Sequence, residues 1–350
     1  QRQMCIRDRL EGIENTDINE PKNILFDDKA DIDDLINSVL TSKSEITIFT
    51  SGTTGQPKKV VHTIGTLTRS TRISFKYHSQ IWAFAFNPTH MAGLQVFFQA
   101  FANKNALINV FNKNRVEVYE LLSEYHVTHI SATPTFYRLL LPVEKSYPEV
   151  CRVTLGGEKS NTKLYESMLL IFPNARINNI YASTEAGSLF AAKGDLFQIP
   201  VELKDKIKVE DEELLIHNSL LGKSDSFSCV GDYYHSGDLI EWMDSDKGLF
   251  RFKSRKNELI NVGGYKINPG EVESVIMQFD GVQQAFVYGK PNSVLGNILC
   301  AEIKIEEGCS LSELDIRHWL ADKLQEFKIP RKIKFVENIA LTRTGKLKRT

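Results

Sequence analysis

The sequence predicts an α/β protein in which a helix-covered, mostly parallel sheet and a small β subdomain precede a smaller C-terminal α+β domain. Strand-like and helix-like segments alternate from 46 to 181 of the 350 residues, as in parallel sheets connected by helices. From about 208 to 252, short β segments separated by turns replace this alternation. A polar link at 254–257 precedes the last pattern. We therefore predict a large domain over 1–256, with its β subdomain at 208–256, and a C-terminal domain over 257–350.

The individual elements follow from the period of the apolar residues, which is near 3.6 in helices and 2 in half-buried strands. In the first part this predicts helices at 32–40, 66–78, 91–102, 116–125, 134–141 and 162–171, and strands at 46–49, 59–62, 81–86, 106–109, 128–132, 152–155 and 176–181. In the second part it predicts strands at 214–216, 239–242, 249–252, 282–288, 300–305 and 333–336, and helices at 272–279 and 311–327.

The composition is that of an ordinary globular protein and excludes several classes of function. Hydrophobic residues make up 42% of the chain and charged residues 25%. The net charge of −1 gives no overall field for a nucleic acid or a membrane surface, and no apolar run approaches the ~20 residues of a bilayer span. The five cysteines form no C-x-x-C pair, so reduced thiols and a cytoplasmic location are expected. The basic stretch 324–350 predicts either a solvated tail or an edge that meets phosphates.

A loop rich in glycine and hydroxyl side chains, from Thr50 to Lys58, lies between two predicted strands. Glycines let backbone N–H groups approach an anion, and hydroxyls and a lysine add further donors, so a polyphosphate is the expected ligand. The loop is not a Walker A sequence, because Pro57 stands where that pattern requires glycine and a strand follows in place of a helix. The alternative is a hairpin turn without a ligand.

Four other strand exits carry loops that look unsuited to mere connection, at 88–90, 132–135, 156–158 and 181–187. Ligands of open α/β sheets bind in the crevice beyond the carboxyl ends of the strands. These exits are therefore the predicted binding edge of the sheet.

Six stretches in a fixed order resemble the motifs of the adenylate-forming superfamily, which includes acyl-CoA synthetases, peptide-synthetase adenylation domains and luciferases. The resemblance spans roughly 46–349, and six ordered motifs make a chance match negligible. The stretches are 49–58, His90-Met91-Ala92-Gly93, Gly156-Gly157-Glu158, 179–185, 234–238 joined to the hinge run 254–273, and 342–349.

For the nucleotide, the resemblance implies a site built from several of these motifs. Adenine would stack on Tyr181, and the ribose hydroxyls would be accepted by Asp238, with Arg255 also reaching the nucleotide. The backbone of Gly156, Gly157 and Glu158 would lie beside the base and the acyl group. The β and γ phosphates of ATP would be held by Thr50, Ser51, Gly52, Thr53, Thr54, Gly55 and Lys58.

For catalysis, the resemblance implies that Thr184 contacts the α-phosphate and that Glu185 holds Mg²⁺. Lys346 would bridge the carboxylate substrate and the α-phosphate, and His90 belongs to a motif like the family's aromatic gate. In the family the small domain rotates about the hinge between two half-reactions, so the C-terminal domain is expected to be mobile. That rotation would bring the loop with Gly263-Gly264 to the site.

Each assignment has a structural alternative. Tyr181 would be a core residue, Glu185 the cap of a following helix, and Asp238 a turn former. Lys346 would be one more exposed lysine of the basic stretch.

The activity that the resemblance implies is that of an acid–thiol ligase. ATP-dependent activation of a carboxylic acid gives acyl-AMP and pyrophosphate, and a thioester then forms on CoA or on the phosphopantetheine of an acyl carrier protein. Short ligases of the o-succinylbenzoate type are a related hypothesis. Candidate residues for an aliphatic or aryl acid pocket, which the pattern allows equally to be core, are Phe84, Phe86, Met91, Phe97, Phe98 and Phe136.

Two other readings of the resemblance stay open. One is an adenylating enzyme without thiol transfer, or the carrier-loading domain of a larger assembly. The other is a non-enzymatic relic of the fold that lacks the N-terminal lobe.

The chain departs from the family pattern in three places. Asn257 stands at the hinge, where the family has Asp or Lys, and Ser254 replaces the glycine before the hinge arginine. Only 45 residues precede the strand that leads into the phosphate loop, so the large domain is expected to be either compact or truncated, which weakens any inference about the acyl pocket.

Overall fold

The computed structural model describes residues 31–50, 58–158 and 160–340, with only the backbone of Thr50 and Lys193. Its helices are α1 (Ile32–Thr41), α2 (Ile64–Thr68), α3 (Met91–Phe101), α4 (Arg115–Glu124), α5 (Pro134–Arg138), α6 (Thr162–Ile171), α7 (Pro269–Ile276) and α8 (Glu313–Ala321). The first strands are β1 (Glu45–Thr50), β2 (Lys58–Thr63), β3 (Ile81–Phe84), β4 (Ala106–Asn109), β5 (His129–Ala132), β6 (Arg152–Gly156), β7 (Arg176–Ser183), β8 (Gly187–Lys193) and β9 (Leu196–Gln198). The others are β10 (Ile207–Glu210), β11 (Glu213–His217), β12 (Cys229–Val230), β13 (Tyr233–Asp244), β14 (Leu249–Arg255), β15 (Ile260–Val262), β16 (Tyr265–Ile267), β17 (Val282–Asn292), β18 (Gly296–Ile305) and β19 (Lys332–Phe335). Within the described ranges, none of the helices combines the length and apolar character that a bilayer crossing needs.

One large mixed sheet organises the molecule. Its strand order is β10-β11-β13-β14-β9-β8-β7-β6-β5-β3-β4, with β12 beside β13. Strands β4, β3, β5, β6 and β7 are parallel, and the pairings from β7 through β8 and β9 to β10 are antiparallel. The predicted α/β class is confirmed, and the β segments predicted from 208 onward extend the antiparallel edge of the same sheet.

Local sequence signals set where several helices begin. Asn114 and Glu117 form a reciprocal capping box at the start of α4, and Thr133 caps α5, which opens with a proline. Ser312 and Asp315 form a second capping box at α8. These side chains satisfy N–H groups that have no partner within the helix, which explains why the helices start at these positions.

The two faces of the parallel strands differ in chemistry. On one face, helices α4, α5 and α6 pack on an apolar layer that includes Ala83, Ile130, Val153 and Leu155. On the other face, α3 packs near β3, whereas β5, β6 and β7 present polar residues to the central cleft. These are His129, Ser131, Arg152, Thr154, Arg176 and Asn178. Parallel strands covered on both faces are continuously apolar, so the alternation of polar and apolar residues in β5, β6 and the first three residues of β7 matches an open, polar face.

His129 lies on this polar face in a buried position. Its ring is tilted against Trp82 with 4.9 Å between the ring centroids, and it is 7% exposed. Burial, aided by the positive charge of Arg152, lowers the pKa of His129 from 6.5 to about 4. The folded protein therefore holds this imidazole neutral at pH values where the unfolded chain protonates it.

This shift predicts a stability loss in mild acid. Because the unfolded state binds the proton more readily, the free energy of unfolding should fall by ~3 kcal/mol as pH drops from 6.5 to about 4. Urea denaturation across that interval measures the slope, and His129→Gln should reduce it. His126→Gln is the matched control, since His126 is largely exposed. Equal slopes for the wild type and His129→Gln would contradict the prediction.

The C-terminal part has a core of its own. A three-stranded sheet, β17-β18-β19, packs with α7 and α8 around residues such as Val272, Ala301 and Ile316, all of them after position 259. Contacts to the large domain include an ion pair between Lys163 and Glu306 at 3.5 Å. A separate core is what a boundary at 256–257 requires, and the boundary itself stays a prediction.

Three helices are shorter than the sequence predicts. The helix predicted at 134–141 is α5, which ends at Arg138. The segment predicted as helix 66–78 consists of α2 and a short 3-10 turn at Phe75–Tyr77. Between them the backbone N–H of Arg72 donates to Gln99, and its carbonyl accepts from the side chains of Gln99 and Asn103. These tertiary contacts replace helical hydrogen bonds. The helix predicted at 311–327 is α8 followed by a 3-10 turn at Glu326–Lys328.

Candidate functional site

A cleft of about 3170 Å³ lies between the carboxyl ends of the parallel strands, strands β13 and β14, and the C-terminal domain. The C-terminal domain lines it with residues that include Glu273, Tyr288 and Asn297. Most of the described residues that the sequence predicts for the site line this cleft. They are Lys58, His90, Gly156, Gly157, Glu158, Tyr181, Thr184, Glu185, Asp238 and Arg255.

Part of the predicted site lies outside the described residues. This applies to loop residues Ser51, Gly52, Thr53, Thr54 and Gly55, and to Lys346. The structure does describe the two ends of the loop, because Thr50 and Lys58 are paired across the antiparallel strands β1 and β2. The phosphate-binding role of the loop and the catalytic role of Lys346 stay predictions.

Asp238 is the centre of a hydrogen-bonded group in the cleft. The Tyr181 hydroxyl donates to its Oδ2 at 2.5 Å, and Nε of Arg255 donates to its Oδ1 at 2.8 Å. Strand pairing places Asp238 and Arg255 directly opposite each other, and Asp238 is 5% exposed. A carboxylate offers about four lone-pair sites, so both oxygens keep capacity for further donors such as ribose hydroxyls.

The charges in this group shift the pKa values of Arg255 and Tyr181. The adjacent Asp238 carboxylate raises the pKa of Arg255, with a further contribution from Glu185. Burial, together with the charge of Asp238, raises the pKa of Tyr181. Arg255 therefore stays a cation and Tyr181 a neutral donor across the physiological range.

Tyr181 also belongs to an aromatic cluster. Its ring stacks with Phe252 at 4.4 Å and with Phe190 at 5.5 Å between centroids. The sequence predicted an adenine-stacking tyrosine, with core packing as the alternative. The structure shows core packing plus a hydrogen bond to Asp238, which the sequence did not suggest, and adenine stacking stays a prediction.

Glu158 connects two strand exits. Its Oε2 accepts hydrogen bonds from the backbone N–H of Thr135 at 3.0 Å and from the Thr135 hydroxyl at 2.7 Å. The carboxylate thus fastens the end of β6 to the first turn of α5, beside Gly156, whose backbone pairs with Ile180. Contact between Glu158 and a cofactor stays a prediction. Thr135 belongs to the predicted strand exit 132–135, but sequence reasoning missed its hydrogen bonds to Glu158.

Thr184 and Glu185 lie in the turn between β7 and β8. No helix follows Glu185, so the alternative that it caps one is wrong. Among the described residues, no group of three or more His, Cys, Asp or Glu side chains forms a ready metal site. One carboxylate nevertheless fits Mg²⁺, which commonly binds proteins through one or two carboxylates and otherwise through substrate phosphates.

The residues proposed for an acyl pocket divide into two groups. Phe86 and Met91 line the cleft next to His90, which is the N-cap residue of α3. The other candidates, which are Phe84 on β3, Phe97 and Phe98 on α3, and Phe136 on α5, pack into apolar clusters and do not line the cleft; Phe86 and Met91 also pack into two of these clusters. The cleft lining therefore narrows the sequence-based set to Phe86 and Met91.

Gly263 and Gly264 form the turn between β15 and β16 and do not line the cleft themselves, but the N–H of Gly264 donates to Oδ1 of Asn261, which does. Val262 pairs with Tyr265, and the two glycines have φ values of 58° and 89°. A two-residue hairpin turn with positive φ at both positions favours glycine. The turn geometry thus accounts for these glycines in this structure, and their part in a second half-reaction stays a prediction.

Two side chains that contact the Thr184–Glu185 turn were also missed. His62 follows Lys58 on β2 and is 1% exposed, and Arg69 ends α2. His62 could have been identified from the sequence, because it lies two positions after Val60 and therefore on the same, inward face of the strand. Nothing in the sequence near Arg69 indicates that it reaches this turn.

Comparison with known proteins places this geometry in a family. The model of the AMP-binding enzyme family matches residues 20–213, and the model of the AMP-binding enzyme C-terminal domain matches residues 271–346. The 2-succinylbenzoate–CoA ligase of Listeria monocytogenes serotype 4b (strain F2365) is 26% identical over 344 residues, which cover 88% of this chain and 69% of the relative. Gramicidin S synthase 2 of Brevibacillus brevis is 25% identical over 348 residues, which cover 86% of this chain and 8% of that protein.

A solved structure shares the fold. The o-succinylbenzoate CoA synthetase of Bacillus subtilis, in complex with its acyl-adenylate intermediate, matches with a TM-score of 0.67 and 22% identity. The match covers 86% of this chain and 67% of that one. The chain therefore spans about two thirds of the length of the ligases that it matches.

Proposed function

This chain belongs to the AMP-binding enzyme family, and from that premise we propose that it is an acid–thiol ligase. It activates a carboxylic acid with ATP to give an acyl-adenylate and pyrophosphate, and then transfers the acyl group to a thiol. The observation that carries the proposal is the convergence of Tyr181, Asp238 and Arg255 with Thr184 and Glu185 in one cleft. The proposed ribose acceptor, Asp238, then lies in the same cleft as the proposed phosphate-binding residues Thr184 and Glu185. Glu185 is near enough for its charge to raise the pKa of Arg255.

The first half-reaction needs cations, because a carboxylate must attack an anionic phosphate. A carboxylate oxygen forms a bond to the α-phosphorus, and the bond from that phosphorus to pyrophosphate breaks. Lys346 supplies an ammonium group between the two anions, and Thr184 contacts the α-phosphate. The chemistry that Mg²⁺ supplies when bound is neutralisation of charge at the phosphates, with Glu185 as its protein ligand.

In the second half-reaction a thiolate attacks the acyl carbonyl, and the bond between that carbonyl and AMP breaks. Rotation of the C-terminal domain about 256–257 removes Lys346 from the site and brings up the Gly263-Gly264 turn. Asn257, at the hinge, is a residue type that accepts unusual backbone angles. The proposed acceptor is CoA, in line with the names of the ligase relatives.

For the acid we propose an aromatic dicarboxylate of the 2-succinylbenzoate type. The lining of the cleft includes the apolar Phe86 and Met91, close to His90 in the chain, and also the cationic Arg72 and Lys76. An apolar wall suits a ring, and a cation suits a second carboxylate that is not activated. Ligase relatives of this chain carry the name of that acid.

A carrier-loading domain is the second candidate function. The match to gramicidin S synthase 2 covers most of this chain but 8% of that protein. A chain of this kind would form its thioester on phosphopantetheine attached to a carrier protein.

Pyrophosphate release in a panel of carboxylic acids, with Mg²⁺ and ATP, tests the proposal. Release should be strongest with 2-succinylbenzoate and weak with benzoate, which lacks the second carboxylate. Mass spectrometry of products made with CoA, or with a phosphopantetheinylated carrier, then separates the two acceptors. The absence of release with every acid, together with no heat of Mg-ATP binding in calorimetry, would refute the proposal and support the non-enzymatic reading.

A further inference from the structure

Three consecutive carbonyl groups in the turn after β7 accept hydrogen bonds from distant parts of the chain. Nε2 of His62 lies 2.7 Å from the carbonyl oxygen of Thr184. The N–H of Gly222 donates to the carbonyl of Glu185 at 2.8 Å, and Nη2 of Arg69 donates to the carbonyl of Ala186 at 2.5 Å. The turn that carries two predicted active-site residues is thus held at each successive peptide unit.

The donors belong to the hairpin that carries the glycine-rich loop and to its neighbours. His62 is on β2, four positions after Lys58. Val61 and Lys223 exchange backbone hydrogen bonds at 2.8 and 2.7 Å, which brings Gly222 against the His62 ring. These contacts therefore cross-link the strand that follows the glycine-rich loop to the Thr184–Glu185 turn.

The protonation state of His62 follows from its partners. A carbonyl only accepts, so Nε2 must carry the hydrogen that bonds Thr184. Nδ1 lies 3.1 Å from the Thr66 hydroxyl, a side chain that can both donate and accept. Burial lowers the pKa of His62, so the ring is neutral near pH 7, with its hydrogen on the side of the turn.

Space around the ring is limited on the side of Gly222. A Cβ at position 222 would lie 2.6 Å from Cε1 and 2.7 Å from Nε2 of His62. Contacts this short force something to move, so only glycine lets the ring keep its bond to Thr184 while residue 222 bonds Glu185.

We propose that His62, supported by Arg69, is a positioning residue that holds the Thr184–Glu185 turn against strand β2 and fixes its backbone for a bound Mg-triphosphate. This inference rests on the proposed function. Fixing the carbonyls of residues 184–186 keeps their peptide planes from rotating toward the phosphates, where a carbonyl oxygen would repel an anion. Misplacement of a binding group by about 1 Å costs on the order of 10²-fold in rate.

Two substitutions of His62 test the inference: one keeps an N–H donor, and the other keeps only the volume of the side chain. Gln places an N–H near the position of Nε2, whereas Leu fills the space without a donor. His62→Leu should weaken Mg-ATP binding in calorimetry on the order of 10-fold to 100-fold, and His62→Gln should restore most of it. In pyrophosphate exchange the KM for ATP should rise and the KM for the acid should stay unchanged, a split that a general loss of stability would not give.

Gly222→Ala is the second variant and keeps His62 in the sequence. Its added methyl should displace the ring and reproduce the effect of His62→Leu, so it decides the case if His62→Leu does not fold, as judged by thermal melting. His126→Gln, at a largely exposed position after α4, should leave every value unchanged. Hydrogen exchange of the peptide 179–190 in the nucleotide-free protein should be faster in Gly222→Ala and His62→Leu.

The outcomes distinguish this inference from the proposed function. Wild-type Mg-ATP affinity in folded His62→Leu and Gly222→Ala, or no rescue by His62→Gln, overturns the positioning role. Failure of the wild type to release pyrophosphate with any acid overturns the ligase proposal instead. Hydrogen exchange still tests the positioning contacts in that event, since unchanged exchange in both variants would show that His62 does not hold the turn.

Discussion

Replacing Lys346 with alanine is expected to slow acyl-adenylate formation by about 10³-fold or more, because it removes the ammonium group between two anions in the transition state. Thioester formation from supplied acyl-AMP should remain near the wild-type rate. That step expels AMP from an acyl group already activated, and in the proposed cycle Lys346 has left the site by then. Pyrophosphate exchange measures the first half-reaction, and thioester formation from synthetic acyl-AMP measures the second.

Lys348→Ala is the control for this prediction. Lys346 and Lys348 share the basic stretch at the end of the chain, so general loss of positive charge would affect both variants alike. The family motif at 342–349 assigns the catalytic role to Lys346 alone. Lys348→Ala should therefore keep most of the pyrophosphate-exchange activity. Equal loss of both half-reactions in Lys346→Ala would contradict the division of roles between two orientations of the C-terminal domain.

The sequence predicted those parts of the fold that depend on local pattern. Alternation of strands and helices gave the parallel half of the sheet, since each βα unit carries its own period and its own turn. The apolar period placed the starts of the helices predicted at 116 and 311 within two residues of Arg115 and Glu313, which is the usual disagreement at helix ends.

Contacts between distant segments could not be read from these patterns. His62 bonds Thr184 across 122 positions, and Tyr181 bonds Asp238 across 57. The prediction of a helix at 66–78 was wrong for the same reason, because the side chains of Gln99 on α3 and of Asn103, two residues beyond its end, bind the backbone of Arg72. Local propensity is a weak preference that tertiary hydrogen bonds override.

The predicted site residues show the same division. Motif order identified the residues that line the cleft, whereas the bonds that position them were missed, among them Thr135 on Glu158 and Arg69 on Ala186. A family motif contains the side chains that face the ligand. The residues that hold those side chains in place are scattered along the chain without a spacing of their own.

Asp238→Ala is expected to weaken ATP binding on the order of 100-fold, since hydrogen bonds to a charged group contribute about 1.5–3 kcal/mol each. The substitution removes the proposed acceptor for the ribose hydroxyls. It also leaves the Tyr181 hydroxyl and the Arg255 guanidinium without the carboxylate that they share. Calorimetry with Mg-ATP measures the loss, and Asp238→Asn, which keeps the shape with weaker acceptors, should fall between the alanine variant and the wild type.

Two comparisons test whether the loss of ATP affinity in Asp238→Ala comes from the missing ribose contact. Asp244 lies at the other end of β13 and pairs with Lys247 at the surface, so Asp244→Ala should bind ATP as the wild type does. ATP lacking its 3′-hydroxyl should bind the wild type more weakly than ATP, whereas Asp238→Ala should bind both nucleotides alike, because the acceptor that distinguishes them is gone. If Asp238→Ala still discriminates between the two nucleotides as strongly as the wild type, the carboxylate does not contact the ribose, and its role is limited to holding Tyr181 and Arg255.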